Sequence, residues 1–436
     1  MTSRRDFLRS SGTTVAGIGL VSSLSSVIAS CAASKKVNVG LVGCNGMGFA
    51  DLNAFLQHPQ VECIALCDID DEVLNRRAAD VEKIRGKKPV HLYKDWRKLI
   101  DNKDIDVVII GTPDHWHCLI MVAACQAGKD VYCEKPLGNS IAECNLMVKA
   151  AQKYKSVVQV GQWQRSDSLW LSAVDFIRSG KLGKIRLVRV FIYRGENSSI
   201  PVLADEPVPA GVDYDMWLGP AKSRPFNRNR FHNEWRWFWD YGGGLMTDWG
   251  VHLLDYALLG MDVTTPKSIM AMGGKYGYPD DASETPDSLQ TIYEFDGFNV
   301  LWDHANGITD GGYGRYHGLG FVGENGTLVV DRQGWEVIPE NVKNVQRMEA
   351  VPLIKGTGDG LKNHVKNFLE CRLSRNPNTN ASVEIAAHIA KFSQLGNIAY
   401  RSGKKLVWDG TKFTNDEDVN KYLIPSYREP WKLPTV

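Results

Sequence analysis

The sequence has no excess of charge of either sign, and this absence excludes a class of partner. Its 436 residues carry 51 Lys and Arg against 50 Asp and Glu, a formal net charge of +1. A protein that holds the nucleic-acid backbone by charge needs a basic surplus, so we expect no nucleic-acid partner. Hydrophobic residues make up 43% of the chain, which is typical of a globular protein with a full core. Recognition must therefore come from a local site.

Cysteine spacing typical of a metal site is also missing. The chain has nine Cys, but they form no succession of CxxC motifs of the kind that binds zinc. Most of them lie between Cys44 and Cys144, and we expect them to be small buried apolar side chains. No bound metal is predicted.

The amino terminus lacks a long uninterrupted apolar run, so it does not predict a stable membrane span. Residues 3–8 read Ser-Arg-Arg-Asp-Phe-Leu before a weakly apolar stretch rich in Gly and Ser, which is typical of a twin-arginine export signal over residues 1–30. Residues 28–31 read Ile-Ala-Ser-Cys and resemble a lipobox, so Cys31 would carry a lipid and open a linker over 31–36. We expect a periplasmic protein that is exported folded and reaches the membrane only through that lipid.

Beyond this segment the chain alternates short apolar runs with helical patterns. Over residues 37–156 the alternation predicts a doubly wound parallel sheet with helices on both faces, the Rossmann type of α/β domain. Over residues 157–436 the strands become longer and alternate polar with apolar residues, which predicts a second α/β domain with a large, mostly antiparallel open sheet. Amphipathic helices are predicted near its end, over 360–373 and 382–402.

A glycine-rich loop follows the first predicted strand. Residues 43–48 read Gly-Cys-Asn-Gly-Met-Gly, close to the pattern in which backbone amides and a helix N-terminus meet a pyrophosphate. Asn45 replaces the usual second glycine, and Asn tolerates left-handed backbone better than most residues. Asp68 follows the second strand, where a carboxylate accepts the ribose hydroxyls and repels a 2′-phosphate, so NAD is favoured over NADP. A plain turn and a helix N-cap are the structural alternatives. The predicted cofactor contacts are Gly43, Asn45, Gly46, Met47, Gly48 and Asp68.

Two more motifs follow predicted parallel strands, at the sheet edge where ligands of such domains bind. Lys135 near a nicotinamide would polarise a hydroxyl or exchange its proton, and a surface ion pair is the alternative. His115 and His117 have the spacing of a metal pair, but such neighbours on a helix point apart, so we favour only His117, as a cofactor contact. The cofactor contacts expected here are Thr112, Pro113, His117, Glu134 and Lys135.

The second domain carries the densest chemical motif of the chain, over residues 242–252. If a helix begins after its three glycines, Asp248 and His252 lie four residues apart and project from one face. Histidine suits a general base, and a carboxylate can set its tautomer or share its proton. The alternative is a surface pair with Asp255.

Together these motifs resemble the Gfo/Idh/MocA family of oxidoreductases. The resemblance rests on the glycine loop, Asp68, the Thr-Pro dipeptide, the Glu-Lys-Pro motif at residues 134–136 and the Asp248 to His252 spacing, and it runs from about residue 36 to the C-terminal region. It implies a nicotinamide cofactor, a Rossmann domain and a sheet domain that often mediates dimers or tetramers. It also implies that Lys135, Asp248 and His252 are the catalytic residues.

Aromatic and polar side chains near other predicted strand ends are candidates for a carbohydrate site. Aromatic faces suit the C–H faces of pyranose rings, and Arg or Gln suits hydroxyls or a carboxylate. Ordinary packing is the alternative for each of them. The candidates are Trp163, Gln164, Arg165, Tyr193, Arg194, Trp235, Arg236 and Trp237.

The leading hypothesis is an exported oxidoreductase that transfers hydride between a tightly held NAD(H) and a hydroxyl-bearing carbon of a sugar, glycoside or polyol. Outside the cytoplasm no pool of NAD is expected, so the cofactor would be regenerated in place. A redox-neutral glycosidase or epimerase resembling glycosidase family 109 is therefore an alternative, and so is oxidation by an external acceptor. Further alternatives are a non-catalytic sugar-binding lipoprotein and a zinc hydrolase built on His115, His117, Asp248 and His252.

Overall fold

The first domain is built on six parallel strands. The computed structural model describes residues 36–436, so the expected export signal over 1–30 and Cys31 lie outside the described residues. The strands are β1 (Val37–Val42), β2 (Val61–Cys67), β3 (His91–Tyr93), β4 (Val107–Ile110), β5 (Asp130–Cys133) and β6 (Val158–Val160). They pair in the order β3-β2-β1-β4-β5-β6, the doubly wound arrangement expected from the alternating sequence.

Helices cover both faces of this sheet, which explains why its strands are almost entirely apolar. Strand β4, with the sequence Val-Val-Ile-Ile, is buried throughout. The covering helices are α1 (Gly46–Leu56), α2 (Asp71–Arg85), α3 (Trp96–Asp101), α4 (His117–Gln126) and α5 (Ile141–Tyr154). Helix α2 shows how the sequence sets its ends: the Asp70 carboxylate accepts the N–H groups of Glu72 and Val73, and Gly86 takes the left-handed conformation that closes the helix.

Strand β6 extends the first domain beyond the predicted boundary at residue 156. It pairs in parallel with β5, Val131 opposite Val158 and Cys133 opposite Val160. The change of sequence texture near residue 157 therefore does not mark the end of the parallel sheet. Three residues are too few to show the period of a strand, which is why the pattern misplaced this edge.

The second domain is organised around a nine-stranded sheet. Its strands are β7 (Leu187–Arg194), β8 (Ser268–Gly274), β9 (Ser288–Phe295), β10 (Phe298–Asn306), β11 (His317–Val322), β12 (Gly326–Val330), β13 (Gly334–Pro339), β14 (Asn341–Val342), β15 (Val345–Gln346), β16 (Val351–Lys355) and β17 (Leu406–Val407), of which β14 and β15 form a separate hairpin. The sheet order is β16-β13-β12-β11-β7-β10-β9-β8-β17. Only β7 and β10 pair in parallel within it, so the sheet is mostly antiparallel, as predicted.

Some helices of the second half pack on this sheet, and others pack on the first domain or in a separate aromatic cluster. They are α6 (Ser168–Arg178), α7 (Tyr214–Leu218), α8 (Gly244–Asp248), α9 (Gly250–Met261), α10 (Gly360–Ser374) and α11 (Val383–Ser402). Helix α11 is shared: Ala386 and Ala390 are buried in a first-domain core, whereas Phe392 and Leu395 are buried in the second-domain core. One long apolar helix therefore fixes the two domains against each other.

The eight cysteines among the described residues are unpaired and buried. Burial raises the pKa of several of these thiols, Cys44 and Cys118 among them, so they stay protonated and unreactive at neutral pH. Within residues 36–436 no three His, Cys, Asp or Glu side chains converge as metal ligands do. In that same range, no helix has both the length and the apolar character required for crossing a bilayer.

Candidate functional site

The glycine loop sits where β1 turns into α1. Asn45 is extended, with φ −96° and ψ 168°, so it does not use the left-handed conformation for which the sequence suggested it was suited. Gly46 does, with φ +49°. At Gly48 an added Cβ would lie 2.2 Å from the carbonyl oxygen of Gly43, a distance that no side chain tolerates. The glycines therefore allow the loop to pack tightly and keep its backbone accessible.

Asp68 closes the loop from the end of β2. Its carboxylate accepts the N–H of Cys44 at 2.8 Å and the N–H of Asp70 at 3.1 Å. Burial raises the pKa of Asp68, and these two hydrogen bonds act in the opposite direction. The carboxylate is thus fixed against the loop that it was predicted to complement.

A first cleft of about 1090 Å³ connects this loop with the predicted catalytic residues. Gly43, Gly46 and Asp68 line one end, and Lys135 and Asp248 line the other. This cleft follows the carboxyl ends of the parallel strands, the edge at which open α/β sheets bind ligands. The other predicted cofactor contacts along it are Asn45, Met47, Thr112, Pro113 and Glu134.

Lys135 and Asp248 form an ion pair at the far end of the first cleft. The Lys135 ammonium donates to Asp248 Oδ1 at 2.6 Å and to the Asp248 carbonyl oxygen at 3.1 Å. The Arg236 guanidinium lies 3.5 Å from the same carboxylate oxygen. Burial alone would raise the pKa of Asp248, but the charges of Lys135 and Arg236 outweigh it and hold this pKa below its ordinary range. Asp248 is therefore a permanent carboxylate that orients Lys135.

The helix predicted through Asp248 and His252 is in fact two helices, and this changes the role of the carboxylate. Helix α8 ends at Asp248 and α9 begins at Gly250, with the His252 N–H bonded to the Trp249 carbonyl oxygen at 3.0 Å. The Asp248 carbonyl oxygen therefore does not accept the His252 N–H and is free to accept a hydrogen bond from Lys135. The predicted contact in which Asp248 orients His252 is absent from the hydrogen bonds of the described residues.

His252 is a buried imidazole near the ion pair. It is 6% exposed, and its Nδ1 has no hydrogen-bond partner among the described residues. Burial, followed by the positive charges of Lys135 and Arg332, lowers the pKa of His252 well below its ordinary value. The imidazole is consequently neutral at neutral pH. It lines neither the first cleft nor the second cleft described below.

His117 supports the first cleft from behind instead of contacting its contents. Its ring nitrogens lie 2.8 Å from the Pro136 carbonyl oxygen and 3.0 Å from that of Thr112. The side chain is completely buried and lines no part of the cleft. The predicted cofactor contact is therefore wrong for His117, which holds two cleft-forming turns together.

A second cleft, of about 1330 Å³, meets the first one at Asn233, Arg236 and Asp248. Arg194 and Trp237 line it as well, whereas Trp235 lines the first cleft. Most of its remaining walls are polar, in keeping with a ligand rich in hydroxyl groups. Sequence reasoning missed these walls, which include Asn197, Asn229, Asn233, Tyr278, Ser283, Thr285 and Asn306.

The other four predicted carbohydrate contacts line neither cleft. Arg165 donates to Asp255 on α9 at 2.8 Å, so it ties the turn after β6 to the second domain. Gln164 is buried, Trp163 lies under the Arg332 guanidinium at 5.1 Å, and Tyr193 donates to Asp303 at 2.6 Å. These contacts are structural, which is the alternative that the sequence left open.

A long excursion between β7 and α8 covers the first cleft. We call residues 199–241 the cover segment. Its aromatic side chains form a small core of their own, and Trp217 and Trp235 face the cleft. The Trp217 carbonyl oxygen accepts the Trp116 indole N–H at 3.1 Å, and the Asp213 N–H donates to the Ile69 carbonyl oxygen at 2.9 Å. The cover segment is thus fastened to the first domain on both sides of the cleft.

A glycine-loop cleft on a doubly wound sheet, opening onto a lysine–aspartate pair from a sheet domain, defines a two-domain nucleotide-binding oxidoreductase. Family profiles agree with this class. One described as "Oxidoreductase family, NAD-binding Rossmann fold" matches residues 37–162, and one described as "Oxidoreductase family, C-terminal alpha/beta domain" matches residues 188–433, more than half of the chain. The chain belongs to the Gfo/Idh/MocA oxidoreductase family, and its first domain is the NAD-binding domain of that family.

Relatives with assigned activities match only part of the chain. An inositol 2-dehydrogenase of Salmonella typhimurium is 35% identical over 156 residues, which cover 35% of this chain and 44% of that protein. An alpha-N-acetylgalactosaminidase of Shewanella oneidensis is 28% identical over 201 residues, which cover 42% of this chain and 44% of that protein. The matched segment thus spans less than half the length of these relatives.

Solved structures resemble the chain over most of its length. A levoglucosan dehydrogenase in complex with NADH and levoglucosan has a TM-score of 0.64 at 20% identity, over 85% of this chain and 99% of that one. An NAD-binding protein from Listeria innocua has the same TM-score at 20% identity, over 86% of this chain and 97% of that one. At this identity the likeness establishes the two-domain fold.

Proposed function

We propose that this protein is an NAD(H)-dependent oxidoreductase that acts on a hydroxyl-bearing carbon of a sugar, glycoside or polyol. The position of the Lys135–Asp248 pair carries the proposal, because Lys135 lines the first cleft and Asp248 lines both clefts. A hydroxyl entering through the polar second cleft would meet this pair at the end of the first. The relatives named for inositol and N-acetylgalactosamine support a carbohydrate in that position.

The residues of the first cleft fit a dinucleotide. An added Cβ at Gly46 would meet no atom within 4 Å, so space is open in front of the N-terminus of α1, where a pyrophosphate would lie. Asp68 stands where it would accept the ribose hydroxyls and would repel a 2′-phosphate, which favours NAD over NADP. When bound, NAD⁺ supplies an acceptor for the hydride of the substrate carbon.

The protein's own contribution is to bind the hydroxyl and to move its proton. Lys135 would exchange that proton, because it lines the first cleft whereas His252 does not. Asp248 holds the Lys135 amino group by two hydrogen bonds. Arg236, which lines both clefts, would bind a neighbouring oxygen of the substrate. Because the imidazole of His252 is neutral, it would add no second positive charge beside Lys135.

We further propose that the cofactor stays bound through turnover and that the protein works outside the cytoplasm. The cover segment supports retention, since it is fastened to the first domain through Trp116 and Ile69. The sequence of residues 1–31 supports twin-arginine export to the periplasm with a lipid on Cys31. A cofactor that cannot exchange must be restored within the site after each oxidation.

Redox-neutral glycoside cleavage or epimerisation is the second candidate function. The match to the Shewanella oneidensis alpha-N-acetylgalactosaminidase favours it, and so does the cover over the first cleft. In such a cycle the substrate is oxidised, rearranged or cleaved, and reduced again without net change of the cofactor. Lys135 would exchange the same proton in both half-reactions.

The discriminating experiment starts with the purified protein, denatured to release any nucleotide for mass spectrometry. We expect NAD⁺ or NADH in near-stoichiometric amount. The intact protein is then incubated with myo-inositol, levoglucosan and a chromogenic α-N-acetylgalactosaminide. Reduction of the bound nucleotide supports the dehydrogenase, and chromophore release without net NADH supports the glycosidase. Absence of both a released nucleotide and NADH binding would contradict either function.

A homo-oligomer, a dimer or a tetramer, is also proposed. The second-domain sheet exposes apolar side chains on β8 and β9, with Met272 71%, Met270 44% and Ile292 41% exposed. Such a face is stabilised when a second copy covers it. Light scattering should give a multiple of the 48.6 kDa chain mass, allowing for removal of the signal. A monomer would contradict the proposal.

A further inference from the structure

Two buried carboxyl groups meet next to Lys135. Asp51 projects from α1 and is 0% exposed, and Glu134 immediately precedes Lys135 and is 5% exposed. Neither oxygen of Asp51, nor Oε1 of Glu134, receives a hydrogen bond from an N–H or O–H group of the described residues. The two carboxyls are nevertheless close enough that each affects the pKa of the other. A proton between them satisfies these oxygens, whereas two adjacent buried carboxylates would repel.

The backbone just beyond β6 encloses the Glu134 side of this pair. An added Cβ at Gly161 would lie 1.9 Å from Glu134 Oε1, so the β6 edge of the sheet packs directly against the carboxyl. Glu134 also lines the first cleft, and the pair therefore communicates with the site while Asp51 stays sealed behind it. The titratable groups that face the pair are Lys135, Asp248, Asp114, Tyr132 and Cys133.

Burial and mutual repulsion favour one proton shared between the two carboxyls. Burial, followed by the charge of Glu134, raises the pKa of Asp51 well above its ordinary value, and Lys135 acts in the opposite direction. Burial raises the pKa of Glu134 to about 7, against the opposing effect of Lys135. At neutral pH the pair therefore holds one shared proton, and Glu134, which lines the first cleft, is the member able to take up a second.

We propose that Asp51 and Glu134 form a proton store for Lys135, holding one proton at rest and a second one while the substrate is oxidised. This inference rests on the proposed function. The Lys135 ammonium, which bonds Asp248 at rest, gives a proton to the Glu134 carboxylate across the first cleft that both side chains line. The resulting amine takes the hydroxyl proton as the hydride leaves the carbon. Reduction returns both protons by the same route, so no outside acid or base is required. Asp51 is a positioning residue that acts through Glu134.

Infrared spectroscopy of the protein with bound NADH tests the store without requiring turnover. The carboxylic C=O stretch of Glu134 should titrate near neutral pH in the wild type and vanish in Glu134→Gln. In Asp51→Leu, which removes the donated hydrogen bond, the midpoint should move about one pH unit or more toward alkaline values. Asp51→Asn retains an N–H donor to Glu134 and should restore the wild-type midpoint.

Glu143 provides a matched control carboxyl. It is 1% exposed, and burial raises its pKa to about 7, but it bonds Ser140 and Tyr427 and lines neither cleft. Glu143→Gln should remove a different band and leave the Glu134 midpoint unchanged. A Glu134 band that titrates only at ordinary acidic pH, or that is identical in wild type and Asp51→Leu, would overturn the proposal.

A second experiment measures how the rate of nucleotide reduction depends on pH, with whichever carbohydrate probe the protein oxidises. Asp51→Leu should shift the profile toward alkaline pH, and Asp51→Asn and Glu143→Gln should superimpose on the wild type. If the Asp51→Asn profile shifts by the same amount, the effect comes from the changed side-chain shape at position 51 and not from the lost hydrogen bond. That result would overturn the proposal. If no probe is oxidised, the proposed function fails while the infrared titration still decides whether the store exists.

Discussion

The two clefts that meet at Asp248 are built in opposite ways. The first follows one edge of a parallel sheet, and its walls come largely from short motifs that follow β1, β2, β4 and β5. The second gathers side chains from β7, the cover segment, the turn before β9 and the end of β10. The comparison separates cofactor recognition, which is local in the sequence, from substrate recognition, which depends on tertiary structure.

The largest loss of activity is expected from a substitution where the two clefts meet, because that is where cofactor and substrate would come together. Lys135→Ala should lower turnover by about 10²–10⁴-fold, because the group that exchanges the hydroxyl proton is lost. NADH binding, measured by fluorescence, should persist, because the loop and Asp68 are untouched. Lys391→Ala removes a surface ammonium that bonds Asn145 and should be neutral. Full turnover in Lys135→Ala would remove this residue from the mechanism.

A change that distorts the glycine loop from behind should weaken nucleotide binding and spare carbohydrate binding. The Gly48→Ala side chain would lie 2.2 Å from the Gly43 carbonyl oxygen, and relieving that clash should cost about 2 kcal/mol, roughly thirtyfold in NADH affinity. In the control Gly312→Ala the new Cβ meets nothing closer than 3.5 Å. Calorimetric titration with NADH measures both, and equal affinities would contradict the packing account of the loop.

A change at Arg236, which lines both clefts, should have the reverse effect. Arg236→Leu should raise the KM for the carbohydrate about tenfold, since a charged hydrogen bond to the substrate is lost, and should leave NADH affinity nearly unchanged. Arg228→Leu is the control, because Arg228 pairs with Glu206 at the exposed surface. An unchanged KM with weakened NADH binding would assign Arg236 to the cofactor and break the division between the clefts.

The remaining prediction concerns the stability contributed by two buried imidazoles, one near the first cleft and one in the second-domain sheet. Burial lowers the pKa of His115 and of His304 from 6.5 to about 4. The unfolded chain takes up these protons near pH 6.5 and the folded chain does not. The free energy of unfolding should therefore fall as the pH drops from about 6.5 toward 4, by about 1.4 kcal/mol per pH unit for each imidazole.

Urea unfolding at a series of pH values measures this slope. His115→Phe and His304→Phe should each reduce it by one imidazole's share. Slopes that match the wild type would show that both rings are protonated in the folded protein.

The first cleft could be predicted largely from the sequence because its physics is local. A glycine pattern after a strand, Asp68 after the next strand, and Lys135 after another share one sheet edge once the strands are parallel. The failures within it were conformational. Asn45 is extended because Gly46 supplies the left-handed turn, and His117 turns toward two carbonyl groups behind the cleft.

The second cleft could not be predicted to the same extent, because no local pattern records which distant segments meet. Arg236 and Trp237 could be predicted because aromatic and arginine side chains suit a carbohydrate. Asn306 and Thr285 lie in segments without any distinguishing motif. Arg165 has the chemistry of a carbohydrate contact, but its pairing with Asp255 depends on how α9 packs. The break between α8 and α9, which gives the Asp248 carbonyl to Lys135, likewise depends on tertiary contacts.

A crystal structure of the protein with bound NADH would test the central claim most directly. We predict that the pyrophosphate contacts the backbone of Gly46, that the ribose contacts Asp68, and that the nicotinamide ring lies in van der Waals contact with Lys135, facing the second cleft. A nucleotide bound elsewhere, or a nicotinamide ring separated from the Lys135–Asp248 pair by protein, would contradict the account.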